Sequence, residues 1–393
     1  MCRTNRSTWL VSVLIGAWLA SGACEQQSAS SDASGAPPAT GPIRVGHYGS
    51  LTGPQASFGV ATSNGIRMAI EEFNAAGGLN GRRIELIEYD TKGDAREAGA
   101  VVQRLVSSDR VVAVLGEVAS GLSLAAAPIC QENRVPMISP SSTNPRVTKA
   151  GDYIFRICFI DPFQGYVGAK FAREQLQSSR AACLFDQSAP YSVGLNEAFR
   201  KEYTALGGTI TTEQAYNEGD QDFTAQLSTI RATNPDLVYI PGYYTDVANI
   251  ALQARRLGIT VPLLGGDGWE SPKLVDIGGA AIEGAYFSNH YSPEDPDPRI
   301  QAYVAKYKAK YGDTPESMAT LGYDAAVLLF DAMKRAKSLA GPDLRDAISA
   351  TKDFQGVTGK VTIDQDRNAV KPAVILQVRE GKMRWVATVE PRR

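Results

Sequence analysis

The sequence predicts an α/β protein made of two similar lobes, each with a parallel, doubly wound sheet between layers of helices. Strand-like and helix-like segments alternate from residue 43 onward with short connections, and the same alternation starts again near residue 181. Alternation of this kind is typical of parallel sheets covered by helices on both faces. The chain length of 393 residues suits about two domains of ordinary size.

The first run of alternating segments predicts the first lobe. Short apolar runs indicate buried strands, and apolar residues recurring three and four positions apart indicate helices. The first helix ends at Gly77 and Gly78, which are typical stop residues. In chain order, the predicted segments are strand 43–49, helix 65–76, strand 83–90, helix 95–107, strand 111–116, helix 123–133 and strand 135–139.

The second run repeats this pattern, and a tail of different character follows it. The predicted segments are strand 181–186, helix 192–206, strand 208–214, helix 222–233, strand 236–242, helix 246–257, strand 261–266 and strand 284–290. The tail begins with two long amphipathic helices, at 298–311 and 316–338. A strand at 359–364 and an antiparallel hairpin at 373–389, turned at Glu380 and Gly381, complete the chain.

Residues 1–23 have the pattern of a secretory signal peptide rather than of a folded segment. Arg3 and Arg6 precede an apolar run at 9–20, which is too short to span a bilayer. The sequence therefore predicts export to the periplasm or cell envelope.

Cys24 stands where a bacterial lipoprotein signal would be cut and the cysteine acylated. Ser21 occupies the position where leucine is usual, so cleavage by ordinary signal peptidase stays open. Residues 24–42 are rich in Ser, Ala, Pro and Gly and cannot build a core, as expected of a flexible tether. We therefore predict a membrane-anchored lipoprotein with lipid on Cys24 and a linker at 24–42.

Composition excludes several classes of function. The formal net charge of −2 provides no basic surface for nucleic acid. Motifs of nucleophilic hydrolases, zinc proteases and dinucleotide-binding enzymes are missing, as are the usual metal-ligand spacings. His47 and His290 are the only histidines, and we interpret each as a polar residue at a strand end. We expect no enzymatic activity, no catalytic residues, no cofactor and no metal.

Three cysteines lie beyond the tether, at Cys130, Cys158 and Cys183. An odd number allows one disulfide with a third thiol left free. All three occur in apolar strand or helix contexts, which favours buried, reduced side chains.

Polar loops follow the predicted strands in both lobes. The strand at 135–139 runs into a cluster of hydroxyl residues, and the first strand of each lobe ends in a loop with an aromatic residue, Phe58 or Tyr191. Ligands of α/β sheets bind beyond the carboxyl ends of the strands, and clefts between domains are favoured sites. The loops of the two lobes are therefore expected to face one another across a cleft.

Four segments in this order resemble a known family. Residues 45–59, 65–94, 116–121 and 135–145 are similar to the periplasmic branched-chain amino-acid binding proteins, and the similarity runs from about 43 to 389. These are the type I substrate-binding proteins of ABC importers, which bind leucine, isoleucine or valine and have no catalytic activity.

The resemblance implies how the chain is divided between the lobes. In this family the chain crosses between the lobes three times, which explains the change of pattern in the tail. Lobe 1 is expected to comprise residues 43–161 with 291–370, and lobe 2 residues 162–290 with 371–393. The expected architecture is thus two Rossmann-like lobes joined by three hinge crossovers.

The resemblance also assigns ligand contacts in lobe 1. Ser120 matches the serine that binds the ligand's α-carboxylate, the Ser141 carbonyl faces the α-ammonium, and Thr143 contacts both groups. A zwitterion leaving water needs every hydrogen bond replaced, since each unfilled one costs about 1–3 kcal/mol. As an alternative, Ser141 and Thr143 would only form hydroxyl-stabilised turns.

Lobe 2 contributes the closing half of the expected site. Tyr191 and Tyr243 match family tyrosines that reach the ligand after closure, with Tyr244 as the alternative to Tyr243. Asp267 matches the acidic partner of the ammonium, which is a glutamate in the leucine-type proteins. The alternative for Asp267 is a structural role in the turn that it shares with neighbouring glycines.

The residues around the ligand side chain are less defined. Phe58 and Met318 fall near positions that form the family's apolar pocket, and Tyr48, Glu117 and Trp269 are further candidates. An inward-pointing Glu117 would make a purely aliphatic ligand less suitable.

From the resemblance we expect a monomeric receptor that passes a free amino acid to the membrane subunits of an ABC permease. The mechanism would be hinged capture, in which lobe 1 binds the ligand and lobe 2 closes over it. The alternative is a sensing receptor on the same fold for amides, ureas or small peptides.

Overall fold

A computed structural model of the chain describes residues 41–391. The predicted signal peptide, Cys24 and the start of the predicted tether lie outside the described residues. Among residues 41–391, no helix is both long and apolar enough to cross a membrane.

The first part of the chain alternates between strands and helices as predicted. The strands are β1 Ile43–Gly49, β2 Ile84–Asp90, β3 Ala113–Leu115, β4 Met137–Ser139 and β5 Ile154–Arg156. The helices between them are α1 Ala56–Ala75, α2 Ala95–Ser107 and α3 Ser120–Glu132, and a short 3-10 helix at Thr148–Ala150 precedes β5. All five strands are parallel and lie in the order β2-β1-β3-β4-β5, which we call sheet 1.

The second run of alternation follows directly. Its helices are α4 Asp161–Glu174, α5 Pro190–Ala205, α6 Thr224–Ala232, α7 Tyr244–Arg256 and α8 Pro272–Gly278. Its strands are β6 Arg180–Asp186, β7 Thr209–Tyr216, β8 Leu237–Ile240, β9 Leu263–Gly265 and β10 Tyr286–Asn289. Short 3-10 helices occur at Asp267–Trp269 and Gly279–Ala281.

The tail contributes to both halves of the molecule. It contains the helices α9 Pro298–Tyr311, α10 Ser317–Arg335 and α11 Gly341–Ser349, and the strands β11 Phe354–Gly356, β12 Gly359–Ile363, β13 Ala369–Val370, β14 Ala373–Arg379 and β15 Lys382–Val389. Strands β11, β12 and β13 form a small antiparallel sheet, and α10, α11 and this sheet share a hydrophobic core with sheet 1. Strands β14 and β15 form the predicted antiparallel hairpin.

Sheet 2 has seven strands in the order β15-β14-β10-β9-β8-β6-β7. The strands from β10 to β7 are parallel, whereas β14 runs antiparallel to both β10 and β15. The chain therefore passes between the two halves three times, after β5, after β10 and after β13. This is the two-lobed α/β architecture that the sequence predicts.

The first helix starts earlier than predicted, at Ala56 instead of position 65. Its first turns contain Ser, Thr and Gly residues of low helix propensity, so the apolar pattern alone gives no helix signal there. Packing against α10 decides the outcome, because a Cβ atom on Gly65 would lie 1.8 Å from the Ala319 carbonyl oxygen. On the opposite helix, a Cβ on Gly322 would lie 2.5 Å from the Thr62 carbonyl oxygen. These two glycines let the helix backbones touch.

Within the described part of the chain, the three cysteines are free and fully buried. This outcome confirms the interpretation of Cys130, Cys158 and Cys183 as small apolar side chains. Burial raises the pKa of the Cys130 and Cys158 thiols to about 12, which keeps both in the unreactive thiol form.

Candidate functional site

Each predicted polar site residue lies just beyond the carboxyl end of a parallel strand. In sheet 1, Ser120 begins α3 after β3, and the loop from Ser141 to Thr143 follows β4. In sheet 2, Tyr191 follows β6, Tyr243 follows β8 and Asp267 follows β9. Carboxyl ends of parallel strands are where this class of sheet holds its ligands.

The loops of the two halves are in direct contact at this place. The Ser141 hydroxyl donates a hydrogen bond to Asp267 Oδ2 at 3.3 Å, which joins the loop after β4 to the loop after β9. Asn144 Nδ2 donates to the Pro190 carbonyl oxygen at 2.7 Å, in a second contact between the halves. The structure thus brings the predicted residues of the two lobes together.

The Asp267 carboxylate is fully buried and accepts four hydrogen bonds. Gln164 Nε2 and the Tyr191 hydroxyl donate to Oδ1 at 2.8 and 2.9 Å. His290 Nε2 lies 2.9 Å from Oδ2, the oxygen that also accepts from Ser141. Burial raises the pKa of this carboxyl, but the contacts with His290, Gln164 and Tyr191 outweigh burial and leave the pKa below its ordinary value. Asp267 is therefore a buried carboxylate that stays ionised.

Sequence reasoning missed two of the partners of Asp267. His290 follows β10 directly and its ring stacks on Phe159 at a centroid distance of 3.9 Å. Burial lowers the pKa of His290, although Asp267 acts in the opposite direction. Asp267 and His290 follow adjacent parallel strands, β9 and β10, so strand order was the signal that could have paired them. Gln164 lies on α4, and nothing in its sequence context indicates the contact.

The hydroxyl cluster after β4 divides into two groups. Ser139 and Ser142 serve the loop itself, since both hydroxyls donate to the Glu117 carbonyl oxygen, at 2.7 and 2.9 Å. The Thr143 hydroxyl is buried and has no partner at hydrogen-bond distance among residues 41–391, although it lies close enough to Asp161 to act against the burial that raises the pKa of that carboxyl. Within the described part of the chain, Ser120 Oγ accepts a single hydrogen bond, from the Asn144 backbone amide at 3.2 Å.

A buried arginine holds this loop in place. Arg156 is fully buried on β5 and donates to the Ser142 carbonyl oxygen and, at 2.8 Å, to the Asn144 carbonyl oxygen. These two bonds fix the backbone on either side of Thr143. The loop therefore presents Ser141 and Thr143 on a rigid support.

Aromatic and apolar residues surround the polar set. Tyr191 and Tyr243 stack with centroids 5.2 Å apart, and the edge of Phe58 meets Tyr243 at 6.0 Å. Phe58 and Met318 are buried in one hydrophobic cluster that draws residues from both halves of the molecule. The neighbouring Tyr244, the alternative to Tyr243, donates its hydroxyl to the Pro54 carbonyl oxygen at 2.8 Å.

The three further pocket candidates have partners within their own lobes. The Glu117 carboxylate accepts from the backbone amides of Ser50 and Ala119, both at 2.7 Å, and burial raises its pKa. The Tyr48 hydroxyl contacts the Met137 sulfur, and the Trp269 indole donates to the Ile240 carbonyl oxygen at 2.8 Å. Glu117 thus belongs to the framework of lobe 1, which removes the objection to an aliphatic ligand.

The site contains no grouping suited to a metal ion. Across the described residues, no cluster of three or more His, Cys, Asp or Glu side chains could hold one. The polar groups around Asp267 all form hydrogen bonds to its one carboxylate, and this arrangement holds a negative charge in a fixed position.

Comparison with known proteins identifies the family of this chain. The family model described as "Periplasmic binding protein" matches residues 42–382. A Leu/Ile/Val-binding protein homolog from Brucella abortus is 31% identical over 86% of this chain and 91% of its own length.

Two solved structures have the same fold and a similar sequence. A leucine binding protein from Thermotoga maritima has a TM-score of 0.86 and 40% identity, covering 89% of this chain and 99% of its own. A branched-chain amino acid transporter substrate binding protein from Streptococcus pneumoniae, in complex with isoleucine, has a TM-score of 0.84 and 34% identity, covering 89% and 100%. The chain therefore belongs to the periplasmic binding protein family, with the type I fold and the non-enzymatic, solute-binding role of that family.

Proposed function

We propose that this protein binds a branched-chain amino acid, leucine or isoleucine, between its lobes and delivers it to the membrane subunits of an ABC importer. The observation that carries the proposal is the ionised Asp267 carboxylate, buried opposite the Ser141–Thr143 loop of the other lobe. A buried negative charge facing hydroxyl groups suits a ligand that carries one ammonium and one carboxylate. Relatives with leucine or isoleucine in their names support this ligand class.

Each predicted residue has a role in this arrangement. The Ser120 hydroxyl binds the ligand carboxylate, the Ser141 carbonyl oxygen and Asp267 bind the ammonium, and Thr143 contacts both. The unpartnered Thr143 hydroxyl supports this assignment, because a buried polar atom without a partner costs about 1–3 kcal/mol until a ligand fills it. The lobe 2 tyrosines Tyr191 and Tyr243 cover the ligand, and Phe58 and Met318 pack against its aliphatic side chain.

Capture proceeds by hinge closure of the two lobes. We assign residues 43–161 with 291–370 to lobe 1 and residues 162–290 with 371–393 to lobe 2. The membership of β1–β5 in sheet 1 and of β6–β10, β14 and β15 in sheet 2 supports these boundaries. Closure brings Asp267 of lobe 2 to the half-formed site on lobe 1 and excludes water from the ammonium.

The protein is a monomer held at the outer side of a membrane by lipid on Cys24, with residues 24–42 as a tether. Family membership supports an extracytoplasmic location, and the sequence around Cys24 supports the anchor. Replacing Cys24 with alanine should move the protein from the membrane fraction to the soluble fraction of the cell envelope. Wild-type protein already found in the soluble fraction would contradict the anchor and leave ligand binding unaffected.

A thermal-shift screen with the twenty amino acids, simple amides and urea tests the ligand. A ligand present at 100 times its Kd should stabilise the protein by about 2.7 kcal/mol. We expect leucine, isoleucine or valine to give the largest shift, with calorimetry then providing the affinity. Shifts confined to amides or urea would contradict the proposal and favour the sensing receptor.

A further inference from the structure

A groove lies apart from the residues that we assign to the amino-acid site. This groove has a volume of about 610 Å³, and its walls come from both lobes. Pro54 and Ser57 of lobe 1 line it, together with Thr245 and Lys273 of lobe 2. Tyr244, the alternative to Tyr243, lines it, but none of the residues that we assign to the amino-acid site does, so we treat the groove as separate from the site at Asp267. We call it the tyrosine groove, after the three tyrosines Tyr244, Tyr307 and Tyr311 in its walls.

The tyrosine rings are held in fixed positions. Tyr307 and Tyr311 lie one turn apart on the same face of α9, with ring centroids 4.6 Å apart. The Tyr311 hydroxyl donates to the Asn64 carbonyl oxygen, and the Tyr244 hydroxyl to the Pro54 carbonyl oxygen, both at 2.8 Å. Anchoring through the hydroxyls leaves ring carbon in the wall of the groove, and the Lys310 ammonium, which pairs with Glu71, already lies 5.5 Å from the centre of the Tyr311 ring. Aromatic walls attract organic cations.

The same groove contains a carboxyl group without a partner. Glu316 lines it at the start of α10, and the Glu316 Oε2 atom is buried with no hydrogen-bond partner in the described chain. Burial and the neighbouring Glu270 and Asp313 raise the pKa of Glu316 to about 8. Among residues 41–391, no lysine, arginine or histidine forms an ion pair with any of these three acids. A buried acidic group of this kind is destabilising unless a proton or another cation accompanies it.

We propose that the tyrosine groove binds a small organic cation, an alkylammonium group, whose charge pairs with Glu316 while its carbon chain packs against Tyr244, Tyr307 and Tyr311. Lys273 does not fill this role, because its ammonium lies 3.1 Å from Asp276 and its side chain is exposed. A metal cation is a poorer match, since aliphatic residues and the three tyrosines make up most of the lining.

Binding in this groove should be coupled to lobe closure. Residues of its two walls are joined by a contact between the lobes, the hydrogen bond of 2.8 Å from the Tyr244 hydroxyl to the Pro54 carbonyl oxygen. A cation that touches both walls therefore stabilises the closed arrangement. If the proposed amino acid also requires closure, each ligand raises the affinity for the other by the same factor. This coupling rests on the proposed function, whereas cation binding itself does not.

Calorimetry with butylammonium chloride tests the site, with potassium chloride as the inorganic control. We expect saturable butylammonium binding to the wild-type protein and none of potassium. Glu316→Gln should weaken binding about tenfold or more, as loss of a hydrogen bond to a charged group predicts. Tyr311→Leu should weaken it about two- to fivefold through loss of a cation–aromatic contact. Glu132→Gln, on the exposed end of α3, makes the same charge change away from the groove and should bind as wild type does.

A proton count gives an independent readout. Cation binding should ionise Glu316, so the heat measured at neutral pH should vary with the ionisation enthalpy of the buffer in wild type but not in Glu316→Gln. The titratable groups around Glu316 are Glu270 and Asp313, with Tyr244, Tyr291 and Tyr307 further out. The tyrosines stay protonated throughout this range, because burial raises their pKa.

The outcomes separate this inference from the proposed function. Wild-type protein that binds leucine but not butylammonium would overturn the groove site and leave the amino-acid site standing. Equal butylammonium affinity in wild type, Glu316→Gln and Tyr311→Leu would also overturn it. Butylammonium binding that depends on Glu316 but leaves leucine affinity unchanged would support the site and refute its coupling to closure.

Discussion

Replacing Asp267 with asparagine separates the charge of this residue from its structural contacts. The amide oxygen can take the place of Oδ1 and keep the bonds from Gln164 and Tyr191. The amide nitrogen then faces Ser141 and His290, and both can become acceptors. The serine hydroxyl rotates, and the histidine proton can move to Nδ1, which has no partner in the described chain. We therefore expect Asp267→Asn to lower the free energy of unfolding by no more than about 1 kcal/mol.

Ligand binding should respond far more strongly than stability does. An ammonium group enclosed by the closed lobes loses its charge partner in Asp267→Asn, and such losses amount to about 2–5 kcal/mol. The Kd for leucine should rise by a factor between about 30 and several thousand. Asp267→Ala should weaken binding similarly but also lower stability, since the donors of Gln164 and Tyr191 lose their acceptor at about 1–3 kcal/mol each.

Calorimetry with leucine and with its 2-keto acid, which lacks the ammonium, isolates the contribution of the charge pair between Asp267 and the ammonium to the binding free energy. The keto acid should bind wild type poorly and lose much less affinity than leucine does in Asp267→Asn. This cycle compares two ligands on two proteins, so a general defect of the turn affects both ligands alike and cancels.

Two results would refute the reasoning. Equal losses for leucine and the keto acid would show that Asp267 acts through the turn. A Kd for leucine in Asp267→Asn within about threefold of wild type, roughly 0.65 kcal/mol, would exclude Asp267 as the partner of the ammonium.

Three further predictions concern packing, closure and pH. Gly65→Ala places a methyl group 1.8 Å from the Ala319 carbonyl oxygen, so the free energy of unfolding measured in urea should fall by about 1–3 kcal/mol or more. Gly99→Ala on α2, where no neighbour is nearer than 3.7 Å, is the control and should be neutral or stabilising. Equal effects of the two substitutions would contradict helix contact as the cause. In small-angle scattering, leucine should reduce the radius of gyration, and an unchanged radius would rule out hinged capture. The folded-state pKa of Glu316, about 8, lies above its ordinary value of 4.5, so between these two pH values the folded protein binds more protons than the unfolded chain, and this group lowers stability as pH rises from about 4.5 to about 8. Glu316→Gln should thus gain stability relative to wild type between about pH 5 and about pH 9, and a constant difference would contradict the raised pKa.

Periodicity predicted the order of most strands and helices, but it missed β5 and the helices α4, α8 and α11. It also failed where packing between distant segments decides the structure. The start of α1 at Ala56 is the clearest case, because Gly59 and Gly65 look like helix breakers in sequence. In the fold they are required, since a Cβ on Gly59 would lie 2.1 Å from the Ser50 carbonyl oxygen. Helix propensity is a weak guide where two backbones are in contact, because a side chain at the contact would clash and only glycine fits.

The site was predictable to the extent that strand ends define it. Motif similarity located Ser120, Thr143 and Asp267, but it did not distinguish a hydroxyl that serves the loop, such as Ser142, from one that is left without a partner. His290 was interpreted only as a polar strand end, because its contact with Asp267 depends on β9 and β10 being neighbours. The role of Arg156 was not foreseen, since a buried cation paired with carbonyl oxygens has no signature in sequence.

The position of β14 inside sheet 2 bears on when the protein can fold. Strand β14 covers the edge of β10, and β15 covers β14, yet both strands come from the last part of the chain. Until Ala373–Val389 has emerged from the ribosome, β10 presents an open edge with unpaired backbone groups. Sheet 1 likewise lacks α10, its partner in the hydrophobic core, until most of the chain exists. Neither lobe can be completed from its N-terminal portion alone, so the native fold of both lobes forms only after nearly the whole chain has been synthesised.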